Sequence, residues 1–369
     1  MKPQNSSSPG ILIIHATAGA GHRKAAEAIH HGLEDRYPGA STVVDALDLT
    51  TPFFRHAYTQ GYEFMVGKIP VFWGMFFWLT DQAWFLPVFR AIRRVYNGLN
   101  ATRLVAFLKK EKFDCVVATH FFAAEVCGHL RRTGQLGGKL VVVVTDFDVH
   151  KIWLVPGVDE YCVASEYTKR RLVSLGVDES KIFITGIPLD EKFTRPRDKA
   201  GMRRKLGLDS EAFTVLISTS SFGFGPIEEL AGYLATLQLI IICGNNKELQ
   251  ARIAARSNPR HKPFGFVNNM EEMMAAADVM VTKPGGLSVT EALANNLPLV
   301  FFSAIPGQEA GNIHVLAING IGLSGMPLRD LCSEVLGLAA SPAALAQARE
   351  RTRILARPDS VRDIIARLV

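Results

Sequence analysis

Cysteine is scarce and unpatterned. Cys115, Cys127, Cys162, Cys243 and Cys332 are odd in number, widely spaced and contain no C-x-x-C pair. That excludes a disulfide framework and points to reduced, mostly buried thiols in a cytoplasmic protein. Long apolar runs are also missing: in the aromatic-rich region 53–97 the longest uncharged stretch, Ile69 to Thr80, is about a dozen residues, where a membrane-spanning helix needs about twenty. The opening MKPQNSSSPG is polar, and the apolar run behind it is too short for a secretory signal, so a loose tail is expected. No low-complexity tract or short-period repeat is found. With 48% hydrophobic and 21% charged residues the chain is globular. Its 369 residues exceed one typical domain, so two are expected. A net charge of +6 admits nucleic acid, an anionic membrane or a phosphorylated ligand, and charge alone does not choose among them.

Strands are predicted at 11–14, 41–48, 114–120, 139–146, 160–165 and 181–188, mostly separated by helical stretches. The polar LDEKFTRPRDKAG (189–201) interrupts this rhythm, and a second series follows at 213–220, 237–244, 264–267, 279–283 and 297–302. Strands alternating with helices predict doubly wound parallel sheets. The expected architecture is α/β with two Rossmann-like domains, 1–195 and 196–369, the last helices packing back on the first domain. Two such domains set their ligand-bearing edges across a cleft.

In ILIIHATAGAGHRKAAEAIHHGL (11–33) a buried strand enters a glycine-rich turn and then a helix carrying Ala25, Ala26, Ile29 and Leu33 at helical spacing. Both phosphate motifs fail here. A Walker A loop needs Ser or Thr where Ala25 stands, and a dinucleotide fingerprint needs glycine where Lys24 stands. Gly19 and Gly21 are predicted to let the chain turn tightly, which puts His22 at a helix N-terminus on the carboxyl edge of a strand, where α/β sheets bind ligands. His22 either caps its own helix or meets a ligand. His30 and His31, further along the helix, are expected at the surface.

The second domain carries the stronger signal. In VTKPGGLSVTEALANNLP (281–298) a strand ends at Lys283, Pro284-Gly285-Gly286 make a turn, and a helix opens near Leu287 with Ser288 in its first turn. Free N–H groups, a helix dipole and a hydroxyl converge there, which favours a phosphate or diphosphate. Glu291, one turn on, has the reach to accept hydrogen bonds from ribose hydroxyls; the alternative is a plain turn with a solvated glutamate. Two more glycine-rich turns, SFGFGPIEEL (221–230) and IPGQEAGN (305–312), follow strands of the same domain.

ATAGAGHRKAAEAI, VTDFDVHKIWLVPGVDEYCVASE, FGFGPIEEL, GFVNNMEEMMAAADVMVTKPGGLSVTEALANNLPLVFF and PGQEAGN together resemble the monogalactosyldiacylglycerol synthase and processive diacylglycerol glucosyltransferase family, in glycosyltransferase family 28 and related to the MurG-type transferases. The resemblance covers nearly the whole chain. It implies a GT-B fold, a UDP-sugar (UDP-glucose or UDP-galactose) held by the second domain, and diacylglycerol held by the first. It also implies inversion at the anomeric carbon and peripheral attachment to the cytoplasmic face of an anionic phospholipid membrane, with no nucleic-acid partner. His22 falls on the family's general base. Gly223, Gly225, Gly285, Gly286 and Ser288 fall on the diphosphate, Glu291 on the ribose, and Phe266 and Val267 on the uracil edge. Gln308 and Glu309 fall on the sugar, supported by Asn312, and Lys283 is a candidate phosphate contact. Asp146, His150 and Trp153 fall on the acceptor side with Gly19 and Gly21, shaping acceptor binding or orienting His22. One departure stands out: STSSFGFG puts Ser220 and Ser221 where the family pattern has a glycine pair.

Asp146 and Asp148 also spell a D-x-D, a metal motif in transferases of another fold. Helix N-termini already suffice to stabilise a leaving diphosphate, so no obligatory metal and no cofactor are expected. Residues 53–97 concentrate aromatics, including three of the four tryptophans. Phe72, Trp73, Phe76, Phe77 and Trp78, flanked by Arg90, Arg93 and Arg94, have the mixture of rings and basic residues of a membrane-surface segment; the alternative is ordinary core. Two other functions remain open from sequence: a UDP-sugar epimerase on the same double-Rossmann plan, and a catalytically weak nucleotide-sugar or lipid binding module.

Overall fold

The computed structural model describes residues 10–17, 19–82, 84–219 and 225–369. They form two compact units. The first comprises residues up to Glu191 together with Ile305–Gly311 and Arg357–Val369; the second comprises Lys192–Ala304 and Asn312–Ala356.

The first unit runs β1 (Ile11–His15), α1 (Ala20–Glu34), β2 (Ser41–Asp45), α2 (Pro52–Lys68), α3 (Pro70–Thr80), α4 (Leu86–Asn100), α5 (Thr102–Lys110), β3 (Cys115–Ala118), α6 (Phe121–Arg132), β4 (Lys139–Val143), β5 (Glu160–Val163), α7 (Glu166–Ser174) and β6 (Ile182–Ile184). Its strands pair in the order β2-β1-β3-β4-β5-β6, all parallel. Leu12, Ile14, Val116 and Val142 feed the core on one face of the sheet, and Ile11, Ile13, Val117 and Val141 the core on the other. Burial on both faces is why these strands read as unbroken apolar runs. The chain leaves β1 for β2 on one side and returns to β3 on the other, so the crevice between β1 and β3 is the topological switch point of this sheet.

The second unit continues with α8 (Lys199–Lys205), β7 (Thr214–Ser218), α9 (Ile227–Tyr233), β8 (Gln238–Ile242), α10 (Lys247–Ala255), β9 (His261–Phe264), α11 (Met270–Ala276), β10 (Val279–Thr282), α12 (Gly286–Ala294) and β11 (Leu299–Phe301). Then come α13 (Gln308–Ile318), α14 (Leu328–Ala340), α15 (Pro342–Thr352) and α16 (Ser360–Ile365). The parallel order is β11-β10-β7-β8-β9, with the switch point between β10 and β7.

The final helix, α16, belongs to the first unit. Ile364, Ile365 and Leu368 join the core of Ile11 and Ile29, and a Cβ on Gly32 of α1 would stand 2.4 Å from Val361. Lys139 Nζ donates to the Arg367 carbonyl at 2.7 Å, and Arg367 pairs with Glu160 at 2.6 Å.

The strands fall within their predicted stretches, β1 running on to His15, except β9. Expected at 264–267, β9 occupies His261–Phe264. It is the edge strand, half-buried and polar at His261 and Lys262, and it carries Pro263, which an edge tolerates. Phe266 and Val267 therefore lie in the loop beyond it, not at its end. The stretch 41–48 stops as a strand at Asp45, whose Oδ1 accepts from Leu47 N–H at 2.9 Å and turns the chain. Among the described residues no single helix is long and apolar enough to cross a membrane.

Candidate functional site

His22 sits in the first turn of α1, at the switch point of the first sheet. Its Nδ1 lies 2.7 Å from the Thr119 carbonyl, just past β3, and 3.0 Å from Thr145 Oγ1, just past β4. A carbonyl only accepts, so the proton is on Nδ1 and Nε2 keeps its lone pair. The helix begins at Gly19 without a side-chain cap, so His22 does not cap its own helix. The His120 ring meets it edge-on at 4.5 Å between centroids, and Trp153 lies at 6.3 Å. Gly19 has φ −164°, which any residue adopts, and a Cβ on Gly19 or Gly21 would meet nothing within 4 Å. These two glycines leave open space beside His22; the turn does not require them, contrary to expectation.

Burial holds His22 down to about 4 from its ordinary 6.5, opposed by the Thr119 carbonyl and assisted by repulsion from His15. Desolvation, more than the helix N-terminus, keeps it neutral. Because a depressed pKa leaves the base neutral at every pH above about 4, turnover limited by this group is expected to fall only as pH drops through about 4, not near 6.5. A pH profile of kcat from 3.5 to 8 checks this, with an acid limb near 6.5 as the contrary result.

His22 lines a pocket of about 90 Å³ together with Asp146, His150, Trp153, Phe77, Phe121, Arg171 and Gln308. Among the described residues Asp146 makes no hydrogen bond to His22, whereas Thr119 and Thr145 stand within hydrogen-bonding distance of its Nδ1. Asp146 is buried and accepts from Gln308 Nε2, 2.9 Å from each carboxylate oxygen. His150 Nδ1 accepts from Ile152 N–H at 3.0 Å while its Nε2 donates to the Phe77 carbonyl at 3.0 Å. Nε2 thus fastens the loop to α3 while Nδ1 caps the loop's own turn, so the residue shapes the pocket as structure. Asp81, at the end of α3, completes that fastening by accepting from Lys151 N–H at 3.0 Å and from Arg171 at 3.3 Å. Trp153 is buried against Phe121, centroids 6.0 Å apart. Asp148 accepts from its neighbour Val149 N–H at 2.8 Å and packs on Gly311. Among the described residues no group of three or more His, Cys, Asp or Glu is placed to hold a metal ion.

In the second unit β10 ends at the switch point, paired with β7. Gly285 N–H bonds back to the Lys283 carbonyl at 2.9 Å, and α12 starts at Gly286 with no side-chain cap. The first N–H groups of α12 therefore lack a side-chain partner, which suits an anion. Lys283 and Ser288 are half-buried beside them. Glu291 is 4% exposed, which excludes a solvated surface glutamate. Asn312 is fully buried and donates to the Pro284 carbonyl at 3.0 Å, which braces the glycine turn. Gly225 has φ +154°, and a Cβ there would stand 2.9 Å from the Phe302 ring; only glycine fits. Gly223, Ser220 and Ser221 lie outside the described residues. Phe266 is 59% exposed in the loop after β9, with Val267 half-buried beside it. Gln308 groups with the first unit through Asp146, and Glu309 accepts from Ile305 N–H at 2.7 Å, closing its own loop.

The aromatic region divides into two faces. Phe77 lines the pocket, its ring 4.3 Å from His150 and against Gly307, and Trp73 is half-buried. Arg93 is spent on Glu125, and Arg90 donates to the Leu154 carbonyl at 3.0 Å. Those four residues, expected at the membrane surface, are half-buried and make contacts within the first unit. Phe72, Phe76, Trp78 and Arg94 remain exposed. Sequence reading missed their partners: Val71 and Met75 on α3, and Val88, Ile92, Val95 and Leu99 on α4, all exposed. The signal was present, since 88, 92, 95 and 99 recur at helical spacing, but no ring marks them.

Residues 22–189 match the family model for monogalactosyldiacylglycerol (MGDG) synthase, and residues 226–314 match that for the glycosyltransferase family 28 C-terminal domain. The chain is 29% identical over 325 residues to a processive diacylglycerol beta-glucosyltransferase of Staphylococcus aureus, covering 85% of this chain and 80% of that one. In fold it is similar to MurG of Acinetobacter baumannii, with TM-score 0.60 and 17% identity over 97% of this chain and 98% of that one. It is likewise similar to the UDP-GlcNAc 2-epimerase of Neisseria meningitidis, with TM-score 0.60 and 14% identity over 97% and 99%. The shared architecture is that of the GT-B glycosyltransferases.

Proposed function

We propose, from the premise that the chain belongs to the monogalactosyldiacylglycerol synthase and processive diacylglycerol glucosyltransferase family of glycosyltransferase family 28, that it moves glucose or galactose from a UDP-sugar to the hydroxyl of diacylglycerol with inversion. The site of action is the cytoplasmic face of a membrane, to which the protein attaches peripherally. The observation that carries this reading is His22: an imidazole on the lining of a pocket, with Nδ1 tied to a carbonyl so that Nε2 keeps its lone pair, is a ready proton acceptor. The acceptor hydroxyl gives its proton to Nε2 as its oxygen bonds to the anomeric carbon. The bond from that carbon to UDP breaks on the opposite face, and UDP leaves with the electron pair. The uncapped start of α12 and the turn at Gly285 and Gly286 support a role in holding the leaving diphosphate, with Glu291 toward the ribose.

Incubation with labelled UDP-glucose and UDP-galactose, with and without diacylglycerol liposomes, tests the reading. Lipid-soluble label of β configuration from an α-linked donor supports it. Label in an altered sugar nucleotide means an epimerase, and binding without turnover means a binding module. Activity is also expected to survive a strong chelator, because helix N–H groups stabilise the diphosphate. Loss with chelator and rescue by manganese would restore Asp146 and Asp148 as a metal site.

A further inference from the structure

His22 is gripped by two threonines: Thr119, outside the stretches that carry the family resemblance, and Thr145, inside one of them but with no role assigned from it. Thr119 and Thr145 follow the adjacent strands β3 and β4, and both are buried. The Thr119 hydroxyl donates to the His22 main-chain carbonyl at 3.0 Å, while the Thr119 carbonyl accepts from His22 Nδ1 at 2.7 Å. Thr145 Oγ1 stands 3.0 Å from the same Nδ1. Since the Nδ1 proton is already committed toward a carbonyl, Thr145 offers that proton a second oxygen. Among the described residues no carboxylate bonds to His22, so these two oxygens are what the ring has on its far side.

We propose that Thr145 is a positioning residue for His22: its hydroxyl, with the Thr119 carbonyl, holds the ring with Nδ1 protonated and Nε2 presented to the pocket, the task a carboxylate performs for other histidine bases. The inference rests on reading His22 as the base. During transfer Nδ1 keeps its proton throughout, Nε2 gains the acceptor's proton, and the positive charge of the imidazolium is shared with the two oxygens. Removing one oxygen should therefore raise the barrier to proton transfer without touching the donor.

Thr145→Val, which keeps the side-chain shape, is expected to lower kcat about 5- to 30-fold with KM for the UDP-sugar unchanged, the effect of one lost hydrogen bond in the transition state. Thr145→Ser should recover most of it. Ring nitrogen NMR of His22 gives a readout independent of turnover: the parent should show the proton on Nδ1, and Thr145→Val should show a larger fraction with it on Nε2. If Thr145→Val does not fold, Thr145→Ala carries both readouts. Unchanged kcat and an unchanged tautomer alongside an inactive His22→Ala overturn the proposal and leave the base intact. A fully active His22→Ala rejects the base itself, and a parent ring protonated on Nε2 overturns the positioning role directly.

Discussion

His22→Ala is expected to lower turnover by about 10²–10⁴-fold while leaving UDP affinity nearly unchanged, the usual scale for removing a general base. The fold should tolerate the change: alanine is a strong helix former, and the site is half-buried in the first turn of α1. No neighbouring histidine is placed to substitute. His120 lies edge-on at 4.5 Å, but it is 1% exposed and its Nδ1 accepts from Phe122 N–H at 3.1 Å. His15, at 4% exposure, lies 3.4 Å from Thr17 Oγ1. His22→Gln is the sharper companion, because an amide fills the space and is able to hydrogen-bond Thr119 without accepting a proton at pH 7. If only bulk mattered, Gln would retain most activity and Ala would not. Equal loss in both variants, measured as single-turnover rate at saturating donor, supports the base, and undiminished turnover in either rejects it.

The position of His22 was legible because a strand, a turn and a helix start lie within one short stretch, and local pattern specifies local geometry. Its holders were not. Thr119 and Thr145 lie 97 and 123 residues away in sequence and meet His22 only because β1, β3 and β4 are neighbours in the sheet. A threonine after a strand carries no mark of such a task, whereas an aspartate invites one, so Asp146 drew attention away from its neighbour Thr145. The buried strands were legible for a similar reason: apolar runs report burial on both faces. β9 was displaced because an edge strand with lysine and proline does not produce such a run. The bond from the Asn312 amide to the Pro284 carbonyl was not legible either, since in a helix one residue's direction depends on packing that spacing does not encode.

The same limit governs the membrane contact, where the expected result is that Val71→Ser, Trp78→Ser and Leu99→Ser together lower partition onto anionic vesicles by on the order of 10²-fold or more, with UDP binding unchanged. These side chains are 81%, 61% and 71% exposed, so they contribute little to folding, and none lines the pocket. Burying a large apolar side chain completely is worth about 1.5–3 kcal/mol, so even partial insertion of three accounts for that loss. Arg94 and Lys68, also exposed, should add about 1 kcal/mol each near anionic lipid. High salt should therefore release the parent protein only partly, because the apolar term is the larger and is not screened. The helix that exposes Val71, Met75 and Trp78 turns Gly74, Phe77 and Asp81 toward the loops of the first unit, with Phe77 and Asp81 lining the pocket. A diacylglycerol headgroup would then reach the pocket beside the lipid-facing surface without both acyl chains leaving the bilayer. Phe77→Ser, by contrast, should impair transfer more than sedimentation, since that ring packs on His150 and Gly307. A triple variant that sediments as well as the parent, or that unfolds, would show that the exposed stripe is not the membrane contact.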